Sequence, residues 1–258
     1  MPGNDDLALL VDAARAGGEI ARRHWRAEPE VWHKSDGAGP VTEADLEIDR
    51  MLNGELLAAR PNYGWLSEET EDNAARLDCE KVFIVDPIDG TRAFMNGERT
   101  FSHSLAVATA GRVTAAAVYL PMLGKLFTAT ATGPAKLNGA PIRATEVPLD
   151  GASVLASRPN FAAEYWPGGA PPITRHFRSS LAYRLCLVAE GRFDAMLTLR
   201  DTWEWDVAAG SLIAANAGAR VTDAAGGSPA FNGPKAMLPG MIAAGAAVHD
   251  GLRQRLAR

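Results

Sequence analysis

Cysteine and histidine are scarce in this chain of 258 residues, which contains two cysteines and five histidines. Two cysteines cannot form the framework of a small disulfide-rich protein, and neither has the spacing of a zinc ligand. We therefore expect Cys79 and Cys186 to be reduced thiols packed among apolar neighbours. The histidines show no metal-ligand spacing, so we expect packing or surface roles for them.

Long apolar runs and blocks of like charge are missing as well. No uncharged apolar stretch approaches the roughly 18 residues that cross a bilayer, so the sequence predicts no integral membrane segment. The first residues lack a basic region followed by an apolar core, which is the pattern of a signal peptide. A basic patch with interleaved aromatics is also absent, which argues against a nucleic-acid polymer as a partner. We therefore expect a cytoplasmic protein.

Two common catalytic motifs do not occur in the chain. The absence of a G-x-x-x-x-G-K-[ST] loop argues against a P-loop nucleotide hydrolase, and no G-x-S-x-G elbow is present.

What the chain does have is an ordinary globular composition, with 47% hydrophobic and 22% charged residues. Its length leaves room for one large domain or for two tightly joined halves.

The apolar pattern changes along the chain and predicts two kinds of architecture. In the first part it predicts helices at 5–25 and from Thr42 onward, and strands at 63–66, 82–85, 102–109, 112–120 and 124–130. The pair Asn138-Gly139 is typical of a tight turn. Beyond that turn, strands alternate with helices, at 153–156, 180–190, 193–199, 206–217, 241–244 and 249–256. We therefore predict an α/β protein, with an α+β half at residues 1–147 that has an antiparallel sheet, and an α/β half at residues 148–258.

The most informative segment is Asp86-Pro87-Ile88-Asp89-Gly90-Thr91, which follows the apolar run Val82-Phe83-Ile84-Val85. The apolar run predicts a buried strand that delivers Asp86 to a sheet edge. Pro87 stiffens the turn that follows, Asp89 adds a second carboxylate, and Gly90-Thr91 can begin a helix. Paired carboxylates suit a hard cation, and free backbone N–H groups at a helix start suit a phosphate. The segment therefore predicts phosphoryl transfer or hydrolysis.

Other segments also place acids where predicted elements begin or end, namely Asp45, Glu68, Glu69 and Asp206. Converging acids repel each other unless a cation binds them, and Mg²⁺ accepts carboxylates, carbonyls and water as ligands. With two cations, one can activate a water while the other stabilises the leaving oxygen. Thr91 offers a hydroxyl that can orient this water, with Asp45 as its acceptor.

Most of these acids have a simpler interpretation when each is taken singly. Asp45 can complement a helix dipole, the two glutamates can be solvated loop acids, and Asp206 can be an N-cap. Asp86 is harder to explain in this way, because it ends a strongly apolar strand. The joint occurrence of the four segments favours a shared metal site.

A phosphatase that forms a phospho-aspartate is a further alternative. The signature of such enzymes is an apolar strand that ends in D-x-D-G-T. Here the residue two positions before Asp89 is Pro87, so the nucleophilic carboxylate is missing. The spacing therefore favours direct attack by a metal-activated water.

The chain resembles the inositol monophosphatase superfamily of Mg²⁺-dependent, lithium-sensitive phosphatases. Four of its motifs occur in order, at residues 40–45, Ser67-Glu68-Glu69, residues 86–91 and residues 205–210. The resemblance implies a layered αβαβα sandwich of the sugar-phosphatase type and a homodimer. It also implies two or three Mg²⁺ ions per active site, inhibition by Li⁺, and a small phosphorylated metabolite as substrate.

The resemblance implies roles for individual residues as well. The metal ligands would be Glu68, Asp86, the carbonyl of Ile88, Asp89 and Asp206. The catalytic residues would be Asp45 and Thr91, which position the attacking water, together with Glu68. The substrate would be bound by Lys34, Asp89, Gly90, Thr91, Ser180 and Asp206.

Two positions differ from the inositol-selective members of the superfamily. Those members carry Gly-Glu-Glu where this chain has Ser67-Glu68-Glu69, and a glutamate where it has Leu199. An aliphatic side chain cannot accept hydrogen bonds from inositol hydroxyls, which costs affinity. Residues 66–69, 179–181 and 186–191 look like the bacterial 3'(2'),5'-bisphosphate nucleotidases. This favours hydrolysis of adenosine 3',5'-bisphosphate to AMP and phosphate.

Several alternatives stay open. The segment Arg92-Ala93-Phe94-Met95 lacks the Lys-Glu pair of many such nucleotidases, and Asn138-Gly139 is similar to an element of the inositol branch. Inositol 1-phosphate, histidinol phosphate and sugar bisphosphates are therefore alternative substrates. A catalytically silent metal or nucleotide binder on the same fold is a non-enzyme alternative, as is a structural or interaction protein.

Overall fold

The computed structural model describes residues 2–27, 31–33 and 40–257. These residues contain six α-helices: α1 (Pro2–His24), α2 (Glu43–Ala59), α3 (Thr91–Met95), α4 (Leu181–Ala189), α5 (Glu204–Asn216) and α6 (Ala246–Arg255). None of the helices in these ranges is both long enough and apolar enough to cross a membrane.

Strands of the first part are β1 (Val31–His33), β2 (Pro40–Thr42), β3 (Gly64–Ser67), β4 (Lys81–Asp89), β5 (Ser102–Thr109), β6 (Arg112–Leu120), β7 (Lys125–Thr130), β8 (Lys136–Leu137) and β9 (Ala140–Pro141). Strands of the second part are β10 (Ser153–Leu155), β11 (Thr174–His176), β12 (Ala195–Thr198), β13 (Thr202–Trp203), β14 (Arg220–Thr222), β15 (Met237–Leu238) and β16 (Met241–Ala244).

A seven-stranded sheet follows the order β3-β4-β5-β6-β7-β8-β9. Side chains alternate between its two faces, as the period of a strand requires. Along β4, Phe83 and Val85 pack against α1 and α2, whereas Val82 and Ile84 face the cluster that contains α4 and α5. Because both faces are covered, β4 is apolar at every position from Val82 to Val85.

A five-stranded sheet follows the order β11-β10-β12-β16-β14. Met196 and Ala243 lie in the same apolar cluster as α4 and α5, while Leu197 and Ile242 pack on the other face with α6. The layers are therefore α1 and α2, the larger sheet, α4 and α5, the smaller sheet, and α6. This arrangement confirms the predicted αβαβα sandwich.

Many predicted elements are confirmed. Strands β5 and β6 match the predicted ranges, and β8 and β9 form a hairpin around Asn138 and Gly139, both with positive φ. Both cysteines are free thiols in contact with the larger apolar cluster, as expected.

Three details of the prediction were wrong. The larger sheet is not wholly antiparallel, because β3 pairs in parallel with β4. Strand β4 continues through Asp89, with a register irregularity after Asp86, so residues 86–89 are not a separate turn. Helix α5 begins at Glu204, and Trp203 is its N-cap, so Asp206 is not an N-cap but the third helical residue. The division into halves at residue 147 stays a prediction, since α4 and α5 pack on both sheets.

Candidate active site

Three carboxylates converge at the end of β4. One oxygen from each of Asp86, Asp89 and Asp206 lies within 4.8 Å of the others. The first two residues belong to β4, and the third is in the first turn of α5, which packs across the same sheet. The layer order of the fold thus joins residues that are 117 to 120 positions apart in the sequence.

Asp86 is the most buried acid of this cluster. Its Oδ1 atom is completely buried and has no hydrogen-bond partner among the described residues. Burial first, and then the charges of Glu68 and Asp89, raise the pKa of Asp86 well above its usual range. A hard cation fits this position, because it would give the unpaired buried oxygen a partner and would offset the repulsion between neighbouring carboxylates.

Asp89 is held by the N-terminus of α4. Ser180 Oγ donates to its Oδ2 over 2.6 Å, and the N–H groups of Leu181 and Ala182 donate over 3.1 and 2.7 Å. Burial raises the pKa of Asp89 to about 6, and these three hydrogen bonds oppose that rise. The carboxylate is therefore oriented by the second half of the chain.

Asp45 and Thr91 form a hydrogen-bonded pair at the edge of the cluster. Thr91 Oγ1 lies 3.3 Å from Asp45 Oδ1 and 3.2 Å from the carbonyl oxygen of Ile88. The other carboxylate oxygen accepts from the N–H and hydroxyl of Thr42, which caps α2. Burial raises the pKa of Asp45 to about 6, and the charge of Glu68 adds to the rise. A fixed carboxylate of this kind can receive a proton near neutral pH.

The carboxylates open into a pocket of about 290 Å³. It is lined by Pro40, Glu68, Asp86, Asp89, Gly90, Thr91, Arg92, Phe177, Ser179 and Asp206. Glu68 thus reaches the same pocket, and its charge raises the pKa of both Asp86 and Asp206. The N–H of Glu68 also donates to Val85 on β4 over 3.3 Å.

Two residues predicted to contact or select the substrate do not line the pocket. Ser180 is completely buried and its hydroxyl contacts Asp89 and Ser102, whereas Ser179 lines the pocket. Leu199 packs against the apolar cluster around α6 and is not a lining residue. Lys34 lies outside the described residues.

Sequence reasoning missed two basic residues and one aromatic residue beside the cluster. Arg92 and the 49% exposed Phe177 line the pocket, and the Arg184 guanidinium carbon lies 4.5 Å from the centre of the Phe177 ring. Burial lowers the pKa of Arg184 to about 10, and the charges of Asp89 and Asp206 oppose this. The sequence signal that could have identified Arg184 is the presence of an arginine within the apolar helix Leu181–Ala189.

A larger groove, of about 790 Å³, lies between the β9 region and the end of α5. Among the described residues its lining contains one basic residue, Arg143, and one acidic residue, Glu146. Of the two, the smaller pocket is the better candidate because it holds the convergent acids Asp86, Asp89 and Asp206.

Comparison with known proteins gives one consistent result. Residues 4–258 match the model of the inositol monophosphatase family. An inositol-1-monophosphatase of Rhizobium meliloti is 34% identical over 233 residues, which are 86% of each chain. A Nus factor SuhB of Escherichia coli is 30% identical over 249 residues, which are 93% of this chain and 90% of that protein.

Solved structures with the same fold include two proteins that are 27% and 28% identical to this chain. The extragenic suppressor protein suhB of Bartonella henselae matches with a TM-score of 0.84 at 27% identity, over 97% of this chain and 98% of that chain. An IMPase of Thermotoga maritima matches with a TM-score of 0.81 at 28% identity, over 97% and 96% of the two chains.

Proposed function

Because the chain belongs to the inositol monophosphatase family, whose members are Mg²⁺-dependent phosphoric monoester hydrolases, we propose that the acidic pocket is its active site. A small phosphomonoester is hydrolysed there by direct attack of water on phosphorus. The observation that carries this proposal is the convergence of Asp86, Asp89 and Asp206 beside Gly90 and Thr91 in one pocket.

The residues that would hold Mg²⁺ are Glu68, Asp86, Asp89, Asp206 and the carbonyl of Ile88. The buried, unpartnered Oδ1 of Asp86 supports this assignment. When bound, Mg²⁺ lowers the pKa of water and stabilises negative charge on phosphate oxygens, and we expect two or three ions per site. The chain itself fixes the carboxylates, since Asp89 is held by three donors from the start of α4.

The proton of the attacking water is taken up by the pair of Thr91 and Asp45. The Thr91 hydroxyl donates to Asp45, so its oxygen lone pairs remain available to accept from water. Asp45 can hold the proton, because its pKa is raised to about 6. The new P–O bond forms as the ester P–O bond breaks, and the leaving alcohol takes up a proton from solvent. Gly90 and Thr91 lie where they can contact the phosphate.

The first candidate substrate is a nucleoside 3',5'-bisphosphate such as adenosine 3',5'-bisphosphate. Phe177 offers an exposed ring on which a base can stack. Within the described part of the chain Arg92 forms no ion pair, so its exposed guanidinium is available for a second phosphate. Leu199 does not support a nucleoside bisphosphate over inositol 1-phosphate, because it does not line the pocket.

Inositol 1-phosphate is the second candidate, favoured by the name of the Rhizobium relative. The deciding experiment measures hydrolysis of adenosine 3',5'-bisphosphate, inositol 1-phosphate, fructose 1,6-bisphosphate and histidinol phosphate, with Mg²⁺ and with EDTA. Mg²⁺-dependent preference for the bisphosphate nucleotide supports the first candidate, and preference for inositol 1-phosphate supports the second. Full activity in EDTA would reject the proposed mechanism.

Arg92→Gln separates the two substrates further. We expect this change to raise KM for the bisphosphate about tenfold or more, because a charge-assisted contact to the second phosphate is lost. KM for inositol 1-phosphate, which has no second phosphate, should change much less. An equal change for both substrates would remove Arg92 as a selectivity residue.

A further inference from the structure

We propose that Asp49, Ser67 and Thr70 form a clamp that positions Glu68 for metal binding. None of the three lines the pocket, so they are positioning residues and not ligands. The inference rests on the proposed function, because it requires Glu68 to be a metal ligand. It adds a set of residues outside the pocket on which the metal affinity of the site depends.

The clamp consists of two short hydrogen bonds to one buried carboxylate. Ser67 Oγ donates to Asp49 Oδ1 over 2.5 Å, and Thr70 Oγ1 donates to Asp49 Oδ2 over 2.6 Å. Asp49 is 6% exposed and Ser67 is 3% exposed. Loss of either hydroxyl would leave a buried carboxylate oxygen without a hydrogen bond, which is costly, so both hydroxyls are firmly placed.

These hydroxyls stand on either side of Glu68 in the sequence. Ser67 is the last residue of β3, and Thr70 follows Glu69, so the clamp fixes both ends of a short turn. The Trp65 Nε1–H group donates to Thr70 Oγ1 over 3.2 Å and restricts that end further. The N–H of Glu68 is tied to Val85 on β4. The backbone that carries Glu68 is therefore fixed to two elements at once.

Helix α2 supplies the carboxylates for both the clamp and the proton-accepting pair. Asp45 and Asp49 are four residues apart, so they lie on one face of the helix. Asp45 contacts Thr91 beyond the end of β4, while Asp49 contacts Ser67 at the end of β3. A single rigid helix thus sets the separation between Glu68 and the Thr91 hydroxyl.

The test measures binding of Mg²⁺ to the metal-free full chain by isothermal titration calorimetry, without substrate. Ser67→Ala and Thr70→Val remove one hydroxyl each, and Thr70→Ser keeps the hydroxyl. Ser211→Ala is the matched control, because it removes a buried hydroxyl that donates to a helix carbonyl in α5. Residues that orient metal ligands typically change metal affinity by about tenfold to a hundredfold.

We expect Ser67→Ala and Thr70→Val to weaken Mg²⁺ binding about tenfold, and Thr70→Ser and Ser211→Ala to bind like the wild type. Thr70 is only half-buried, so its two variants give the answer even if Ser67→Ala does not fold. Unchanged Mg²⁺ affinity in every hydroxyl-deleted variant that folds, whatever its Tm, would overturn the clamp. A wild type that neither binds Mg²⁺ nor needs it for hydrolysis would instead reject the proposed function.

Discussion

The hydroxyl of Ser180 donates to the carboxylate of Asp89 over 2.6 Å, although the two residues are 91 positions apart in the sequence. Ser180 also accepts from the N–H of Tyr183, so the same oxygen caps helix α4. One side chain therefore begins a helix of the second half and orients an acid of the first. This contact links the stability of the interface between the layers to the geometry of the acidic cluster.

Replacing Ser180 should test this link. We expect Ser180→Ala to lower the free energy of unfolding by about 2 to 3 kcal/mol, because a bond to a buried carboxylate and a helix cap are both lost. Ser102→Ala is the control: the Ser102 hydroxyl contacts the Ser180 hydroxyl over 3.0 Å, and Ser102 pairs with Asp89 only as its neighbour across strands β4 and β5. Urea unfolding measures both variants, and equal losses would contradict the special role of Ser180.

Asp89→Asn should abolish phosphatase activity. The amide has nearly the shape of the carboxylate but lacks the charge that a cation requires. Activity with saturating Mg²⁺, compared with circular dichroism of the same sample, distinguishes loss of the site from loss of the fold. Retained turnover in a folded Asp89→Asn protein would be incompatible with the metal-dependent mechanism.

Thr91→Val should lower kcat while leaving Mg²⁺ affinity close to that of the wild type. Valine keeps the branched shape but cannot pass a proton to Asp45, and loss of such a group typically costs about 10² to 10⁴ in rate. Thr91→Ser, which retains the hydroxyl, should recover much of the activity. Steady-state kinetics together with Mg²⁺ titration checks this, and a normal kcat in Thr91→Val would exclude the role in proton uptake.

The metal-free protein should lose stability as pH rises from 5 to 7. The folded-state pKa of Asp89 is raised to about 6, so the folded protein binds this proton more tightly than the unfolded chain does. Its stabilising effect is present at low pH and is lost as pH rises through about 6, which amounts to about 1 kcal/mol between pH 5 and 7.

Urea unfolding in EDTA at the two pH values measures this loss. Asp89→Asn should show a smaller loss than the wild type, and excess Mg²⁺ should reduce the wild-type loss because it compensates the carboxylate charges. Equal changes in the free energy of unfolding of wild type and Asp89→Asn between pH 5 and pH 7 would contradict the assignment.

The sequence predicted the elements whose patterns are local. The apolar run before Asp86 indicated a buried strand, and Asn138-Gly139 indicated a hairpin, because strand burial and positive φ depend on a few neighbouring residues. The sequence did not predict the correct start of α5. Trp203 caps this helix without a side-chain hydrogen bond, so the N-terminus lacks a recognisable sequence signal.

Residue types and their order by themselves indicated an acidic, metal-dependent phosphatase site, because four motifs that resemble those of the inositol monophosphatase superfamily occur in order along the chain. Tertiary structure alone decided which groups complete that site. Ser180 supports Asp89 and does not line the pocket, Leu199 packs against the core, and Asp49 holds Ser67 beside Glu68. These roles depend on how helices and sheets stack across long sequence separations, which local patterns do not encode.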